Sequence, residues 1–327
     1  MSQIPIVDVS RLWSDNSVDR KVVAEKLDEA CRSIGFLVII GHGVMPDLRQ
    51  RMYATTRAFF DLPTNEKLAF GTATGGGYRG YTPLASESLA KTLGQKAKAA
   101  DLYEAFTMGR PDTPSDAYYE KHRHNFFAPN IWPDRPPAMK SVWLEYYKAM
   151  EGLAAKLMHG FALALNLDED YFDDKFDKHI SNMRAINYPD QPNHPLPGQV
   201  RSGAHTDYGS LTILFPDAAP GGLQVLAKSG EWQSVPYVPD AFVINLGDLL
   251  AEWTNDRWVS TLHRVANPPR DKAVGSRRQS IAFFHQPNYD AIIECIPTCT
   301  DANNPARHAP IRSGEHLQMK IRRQAAA

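Results

Sequence analysis

"SGAHTDYGSLTIL", residues 202–214, is the stretch on which the reading of this chain turns. Read for pattern it is one β-strand: a glycine-bearing start leads into Leu211, Thr212 and Ile213, and branched and apolar residues suit a half-buried pleated surface. Its first half nevertheless carries two metal-competent side chains, His205 and Asp207, two residues apart. Residues i and i+2 of a strand share a face, so the imidazole and the carboxylate converge while Thr206 points away. A neutral imidazole nitrogen and a carboxylate oxygen make two adjacent ligands on one divalent ion.

A third ligand has to come from elsewhere. The best candidate is His263, at the end of the strand-like segment "WTNDRWVSTLHRV" (253–265). Two histidines and one carboxylate on one face of an octahedron leave three positions open, the arrangement that non-haem Fe(II) oxygenases use. A zinc hydrolase can use the same ligands, so the triad alone leaves the metal open. A second strand-like segment, "RRQSIAFFHQP" (277–287), tilts the choice, because Arg278 and Ser280 share a face there. A guanidinium gives two parallel hydrogen bonds to a carboxylate, and a hydroxyl adds one more. Tyr188, in "AINYPDQP", is placed to give a third.

The texture around these segments is β-rich. Short apolar runs at 183–188, 211–215, 222–226, 241–246, 259–265 and 279–284 are separated by turn-forming residues, which predicts a sandwich, barrel or jelly roll. The first half is mainly helical. A short strand (4–10) precedes a helix over 18–35 that Gly35 stops, a buried strand "FLVIIGHGV" and a helix over 45–63. "GTATGGGYRGYTP" (71–83) matches no dinucleotide or phosphate fingerprint and reads as a loop over a pocket. From Met139 to Leu165 apolar residues recur at three- and four-residue steps, a long scaffold helix. Ser313 is placed to cap a final helix.

With 327 residues and a net charge of -1, the chain lacks the basic excess expected of a nucleic-acid binder or a polybasic membrane-surface protein. No apolar run approaches the ~20 residues of a membrane-spanning helix, and "MSQIPIVDVSRLW" lacks a signal-peptide pattern. Three cysteines, Cys31, Cys295 and Cys299, are an odd, sparse set that suits a reducing, cytoplasmic setting.

"HTD" (205–207), "STLHRV" with His263, "RQS" (278–280) and "NYP" (187–189), in this order, resemble the isopenicillin N synthase-like family of Fe(II)/2-oxoglutarate-dependent dioxygenases. The resemblance covers nearly the whole chain, since "IPIVDVS", "GFLVIIGHGV", "GYRGYTP", "FFAPNIWP", "GGLQV" and "INLGDLL" also fall at that family's landmarks. It implies an α+β fold: a double-stranded β-helix (jelly-roll) core flanked by α-helices. It implies one catalytic domain, with a mainly helical part with pocket loops at 1–178, the β-helix core at 179–290 and a C-terminal extension and helix at 291–327. His205, Asp207 and His263 would bind Fe(II). Arg278 and Ser280, with Tyr188 nearby, would grip the distal carboxylate of 2-oxoglutarate. O2 would be the co-reactant, and a small organic molecule would be hydroxylated or desaturated with release of succinate and CO2.

Substrate contacts are expected from Tyr208, Tyr81, Arg79, Arg184 and His285, with Tyr78 in the same loop region. The two arginines hint at an anionic substrate. Asn245 and Asp248 in "INLGDLL" read as turn residues. Two other functions stay open at this point. One is an Fe(II) oxidase that uses no 2-oxoglutarate and grips its substrate's own carboxylate. The other is a small-molecule binding protein with an idle site.

Overall fold

The computed structural model describes residues 4–71, 79–90, 99–124 and 126–326. Tyr78 and most of the 71–83 glycine-rich stretch lie outside these residues. Strand β1 (Ile6–Asp8) is followed by helix α1 (Ser17–Ser33), whose first turn is capped by the Asn16 side chain accepting from the Val18 amide. Gly35, with φ +64°, ends that helix as its position predicts. Strand β2 (Phe36–Ile40) and helices α2 (Pro46–Phe60) and α3 (Thr64–Leu68) follow, so the expected helix over 45–63 stops before Pro63 and a short second one begins after it. Strands β3 (Gly80–Thr82) and β4 (Glu104–Gly109), the short α4 (Ala117–His122) and the long α5 (Met139–Ala164) complete the first half.

The second half runs β5 (Asn182–Tyr188), β6 (Ser202–His205), β7 (Leu211–Pro216), β8 (Gly222–Leu226), β9 (Trp232–Ser234) and β10 (Phe242–Leu246). Helix α6 (Asp248–Trp253), strands β11 (His263–Ala266) and β12 (Arg278–His285), the small pair β13 (Ile292–Ile293) and β14 (Ile311–Arg312), and helix α7 (Ser313–Ala326) finish the chain.

The strands form an eight-stranded sheet in the order β1-β2-β10-β7-β12-β5-β4-β3 and a four-stranded sheet in the order β6-β11-β8-β9. This is the double-stranded β-helix that the family resemblance implies, one of the architectures the strand spacing allows, with helices packed on the outer face of the larger sheet. Alternation along the strands decides what faces where. On β12, Ile281 and Phe283 join the core against the helices, whereas Arg278, Ser280, Ala282 and Phe284 line a cavity on the other face. On α5, Trp143, Tyr146, Tyr147 and Phe161 are at most 1% exposed, each such burial being worth about 1.5–3 kcal/mol.

Three expectations are corrected. The 202–214 stretch is two strands in different sheets, β6 and β7, joined through a turn at Tyr208–Ser210, because a β-helix rung must cross from one sheet to the other. The 259–265 run is extended only from His263 onward, so that histidine opens its strand and does not end it. The mainly helical first half keeps its two expected strands, β1 and β2, but adds two that were not expected: β3 and β4 also join the eight-stranded sheet, and Gly80–Thr82 pair with β4 where a loop was expected.

Candidate active site

A cavity of about 430 Å³ lies between the two sheets. His205, at the end of β6, and His263, at the start of β11, are cross-strand partners. Asp207 lies two residues past the strand end, and its Oδ1 is 3.8 Å from His205 Nε2 and 3.7 Å from His263 Nε2. One ligand atom from each residue lies within 4.8 Å of the others. The pair that the strand argument put together, His205 and Asp207, does converge, although Asp207 lies past the end of β6.

Each of the three side chains is oriented by its neighbours in a way that suits metal binding. His205 Nδ1 is 2.8 Å from the Gly203 carbonyl and His263 Nδ1 is 3.1 Å from the Thr261 carbonyl. Those bonds place the ring protons on Nδ1 and present bare Nε2 atoms to the cluster. Burial, then His263, pushes the His205 pKa down to about 4, so its ring is neutral at pH 7. Burial opposes ionisation of Asp207, but the two histidines and the donors Thr212 and Asn245 outweigh it and lower its pKa. The Thr212 hydroxyl and the Asn245 amide both donate to Asp207 Oδ2, at 2.5 and 2.6 Å, which leaves Oδ1 facing the histidines.

Thr212 and Asn245 were not expected here; Asn245 reads as a turn residue but lies in β10. The signal was available: each is a polar side chain inside an otherwise apolar strand, and alternation puts both on the cavity face. Replacing Asn245 by Ala or Thr212 by Val is expected to weaken Fe(II) binding by about 10–100-fold with the fold kept. Anaerobic Fe(II) titration checks this.

Arg278 and Ser280 lie on the same cavity face of β12, with Tyr188 directly opposite Arg278 on β5. The Arg278 guanidinium is 2% exposed, lies 5.3 Å from the Tyr188 ring centre and comes no closer than 3.8 Å to Asp217. Its Nη1 is buried without a hydrogen-bond partner among the described residues. A buried, charged donor left in that state is costly unless something occupies the cavity beside it, and a carboxylate fits.

Of the residues expected at the substrate, Arg79, Arg184 and Tyr208 line the cavity. Arg184 is ion-paired to Glu87 at 2.5 Å. Tyr81 and His285 are not brought to the cavity. The Tyr81 hydroxyl donates to Glu104 within the core, because its place on β3 turns the ring toward Phe59. His285 follows Phe284 on β12 and therefore faces the opposite side, stacked on Phe176 at 4.3 Å with Nδ1 3.2 Å from Ser210 Oγ.

That location has a consequence for stability. Burial lowers the pKa of both His285 and His179, so the unfolded chain binds protons more readily than the folded one. Stability is therefore expected to fall as pH drops below about 6.5, at up to about 1.4 kcal/mol per pH unit for each group. The slope continues until the folded-state values are reached. Denaturation midpoints of the metal-free protein at pH 7.5 and 5.5 measure it, and His285→Asn should remove part of it.

Comparison with known proteins agrees with the geometry. Residues 4–135 match the family described as the N-terminal region of non-haem dioxygenases in morphine synthesis, and residues 180–287 match the 2OG-Fe(II) oxygenase superfamily. A 2-oxoglutarate-Fe(II) type oxidoreductase of Aspergillus fumigatus is 33% identical over 322 residues, covering 97% of this chain and 92% of that protein. A homoarginine-6-hydroxylase of Arabidopsis thaliana is 34% identical over 333 residues, covering 97% and 96%. The crystal structure of a full-length Neurospora crassa protein in complex with α-ketoglutarate and thymine matches with a TM-score of 0.85 at 32% identity, covering 99% and 97%. Similarity that runs the length of both partners is similarity of whole proteins and not of one motif: the chain belongs to the 2OG-Fe(II) oxygenase superfamily and is a dioxygenase that uses Fe(II), 2-oxoglutarate and O2.

Proposed function

We propose that His205 Nε2, Asp207 Oδ1 and His263 Nε2 hold the iron. Arg278 and Ser280, with Tyr188 beside them, hold the distal carboxylate of 2-oxoglutarate. The substrate is a small organic molecule that is hydroxylated in the rest of the cavity. The observation that carries this reading is that a buried guanidinium, one nitrogen of which has no hydrogen-bond partner among the described residues, lines the same cavity as three converging ligand atoms. When bound, iron and 2-oxoglutarate supply the activation of O2, with release of succinate and CO2.

The protein's own part is positional. The Gly203 and Thr261 carbonyls orient the two rings, and Thr212 and Asn245 hold the carboxylate with one oxygen free. Leu214, Leu223 and Val265 give the cavity apolar walls. Tyr208, Arg79 and Arg184, the last ion-paired to Glu87 behind it, border the space left for substrate. Hydroxylation is favoured over desaturation by the homoarginine-6-hydroxylases among the relatives. The chain acts as one catalytic domain, since strands from both halves build the eight-stranded sheet that carries Tyr188, Arg278 and Ser280. Three cysteines free of disulfides support a reducing compartment such as the cytoplasm. No helix among the described residues is long and apolar enough to cross a membrane.

Anaerobic addition of Fe(II) and then 2-oxoglutarate tests the assignment. A saturable visible charge-transfer band that is lost in Asp207→Ala and weakened in Arg278→Ala is the expected result. A band that both variants keep unchanged would overturn these seats.

A further inference from the structure

Strands β5 and β12 run side by side along the cavity, and alternation sends every second residue of each into it. This shared face begins with Tyr188 and Arg278 at the 2-oxoglutarate seat and ends with Asn182 and Phe284, which are cross-strand partners. Gln286 stands two residues beyond Phe284 and also lines the cavity. Asn182 and Gln286 therefore occupy diagonally neighbouring positions, about 7–8 Å apart for such a pair, which brings both carboxamides within reach of one small group. The two ends of the face differ in chemistry. One carries the Arg278 cation, and the other carries two neutral amides. Arg184, two residues along β5 from Asn182, spends its charge on Glu87.

The Gln286 backbone is fixed by Ser181. Its amide donates to Ser181 Oγ at 3.0 Å, and its carbonyl accepts from the same hydroxyl at 3.4 Å. The side chain is held differently. Gln286 is 4% exposed, and its Oε1 is buried without a hydrogen-bond partner. The carboxamide packs flat on Gly209, where a Cβ would lie 2.5 Å from Nε2, 2.6 Å from Cδ and 2.7 Å from Oε1. Gly209 is two residues past Asp207, so the missing side chain there lets the Gln286 amide rest on the turn that follows the metal-facing carboxylate. Half a turn about the last side-chain bond exchanges Oε1 and Nε2 in the same plane, so either end can meet a ligand. A buried amide oxygen without a partner is costly, and a ligand in the cavity is the partner that this position can receive.

We propose that Gln286, with Asn182 diagonally across from it, is the substrate-reading pair of this cavity, and that the group it reads is a neutral amide: an N–H beside a carbonyl, as in a carboxamide or a lactam. The inference rests on the iron and 2-oxoglutarate seats proposed above. A carboxamide offers donors and an acceptor together, and an amide on the substrate satisfies both. A carboxylate would leave Oε1 without a donor, and an ammonium would leave Nε2 without an acceptor. A buried site penalises either mismatch.

The test uses the full chain in its anaerobic Fe(II)–2-oxoglutarate complex and reads perturbation of the visible band. The probes are a six-membered lactam, its N-methyl derivative and the ring ketone of the same size, with the primary amide, the acid and the amine on one short straight chain. The lactam and the primary amide are expected to act at concentrations about tenfold or more below the others. Gln286→Met, which keeps the length of the side chain, is expected to weaken both amides by about tenfold while 2-oxoglutarate binds as in the wild type. It should melt no lower than the wild type, since Oε1 has no hydrogen bond to lose. Gln286→Glu should reverse the preference in favour of the amine, and Asn182→Leu should weaken the amides to a lesser degree. The proposal is overturned if neither amide acts, or if another probe acts as strongly as its matching amide. It is also overturned if Gln286→Met leaves the amide response unchanged, or loses it together with thermal stability, which is what a structural role predicts. A complex that forms no band at all overturns the cofactor seats first, and this reading with them.

Discussion

Asp207→Ala is expected to abolish Fe(II)-dependent turnover, with a loss well beyond the roughly 10–100-fold that removal of an outer partner costs a metal site. Asp207 supplies the only carboxylate in the cluster, and both histidines approach the same oxygen, at 3.8 and 3.7 Å. Removing it takes away a ligand and the negative charge that offsets the metal. It also strips the Thr212 hydroxyl and the Asn245 amide of their acceptor inside the protein, at about 1–3 kcal/mol for each donor left unsatisfied. The variant should therefore melt lower than the wild type. The two effects separate with Asp207→Asn, whose side-chain carbonyl still accepts from one donor but brings no charge. That variant should recover part of the stability and none of the activity. Metal analysis, succinate release and thermal unfolding on both variants, with His205→Ala alongside, make the comparison. Wild-type-like turnover in Asp207→Ala would remove this residue from the metal site.

The parts of the site that the sequence made legible are those that depend on short-range spacing. His205 and Asp207 lie two apart, and Arg278 and Ser280 lie two apart, so strand alternation alone pairs them. What spacing could not supply was the path of the chain between strands. The break at Tyr208–Ser210 is what lets β6 and β7 lie in different sheets, and it is invisible to a reading that follows only apolar content. Tyr81 and His285 were misplaced for a related reason. Each belongs to a strand, but which face of that strand meets the cavity depends on its partners: β4 for Tyr81, and β5 and β7 for His285. Alternation from Arg278 would have set His285 on the far face, since the two are an odd number of residues apart on one strand. Asp248 is different again. Its three side-chain partners, Thr206, Ser260 and Lys320, are separated from it by up to 72 positions, and only the folded chain brings them together.

Arg278→Ala is expected to raise the 2-oxoglutarate concentration needed for half-saturation by roughly ten- to a hundredfold, since a charge-assisted clamp is worth ~1.5–3 kcal/mol. Fe(II) affinity should stay unchanged, because among the described residues Arg278 is ion-paired or stacked only with Asp217 and Tyr188 and not with the three ligand residues. The fold should tolerate the change. Asp217, the nearest carboxylate to the guanidinium, keeps the Gln279 amide at 2.6 Å and the Tyr53 hydroxyl at 3.1 Å as donors. The substitution also removes a buried cation whose Nη1 has no hydrogen-bond partner among the described residues, so it does not leave a new charge stranded in the core. Arg278→Lys distinguishes charge from shape. It keeps the cation but loses the planar fork that matches a carboxylate, and an affinity between those of wild type and Arg278→Ala is expected. Titration of the visible band reads 2-oxoglutarate binding directly, without reference to turnover. If Arg278→Ala bound 2-oxoglutarate as the wild type does while losing affinity for an acidic substrate, the guanidinium would be a substrate anchor, and the distal carboxylate of 2-oxoglutarate would have to be held by another cation of the cavity.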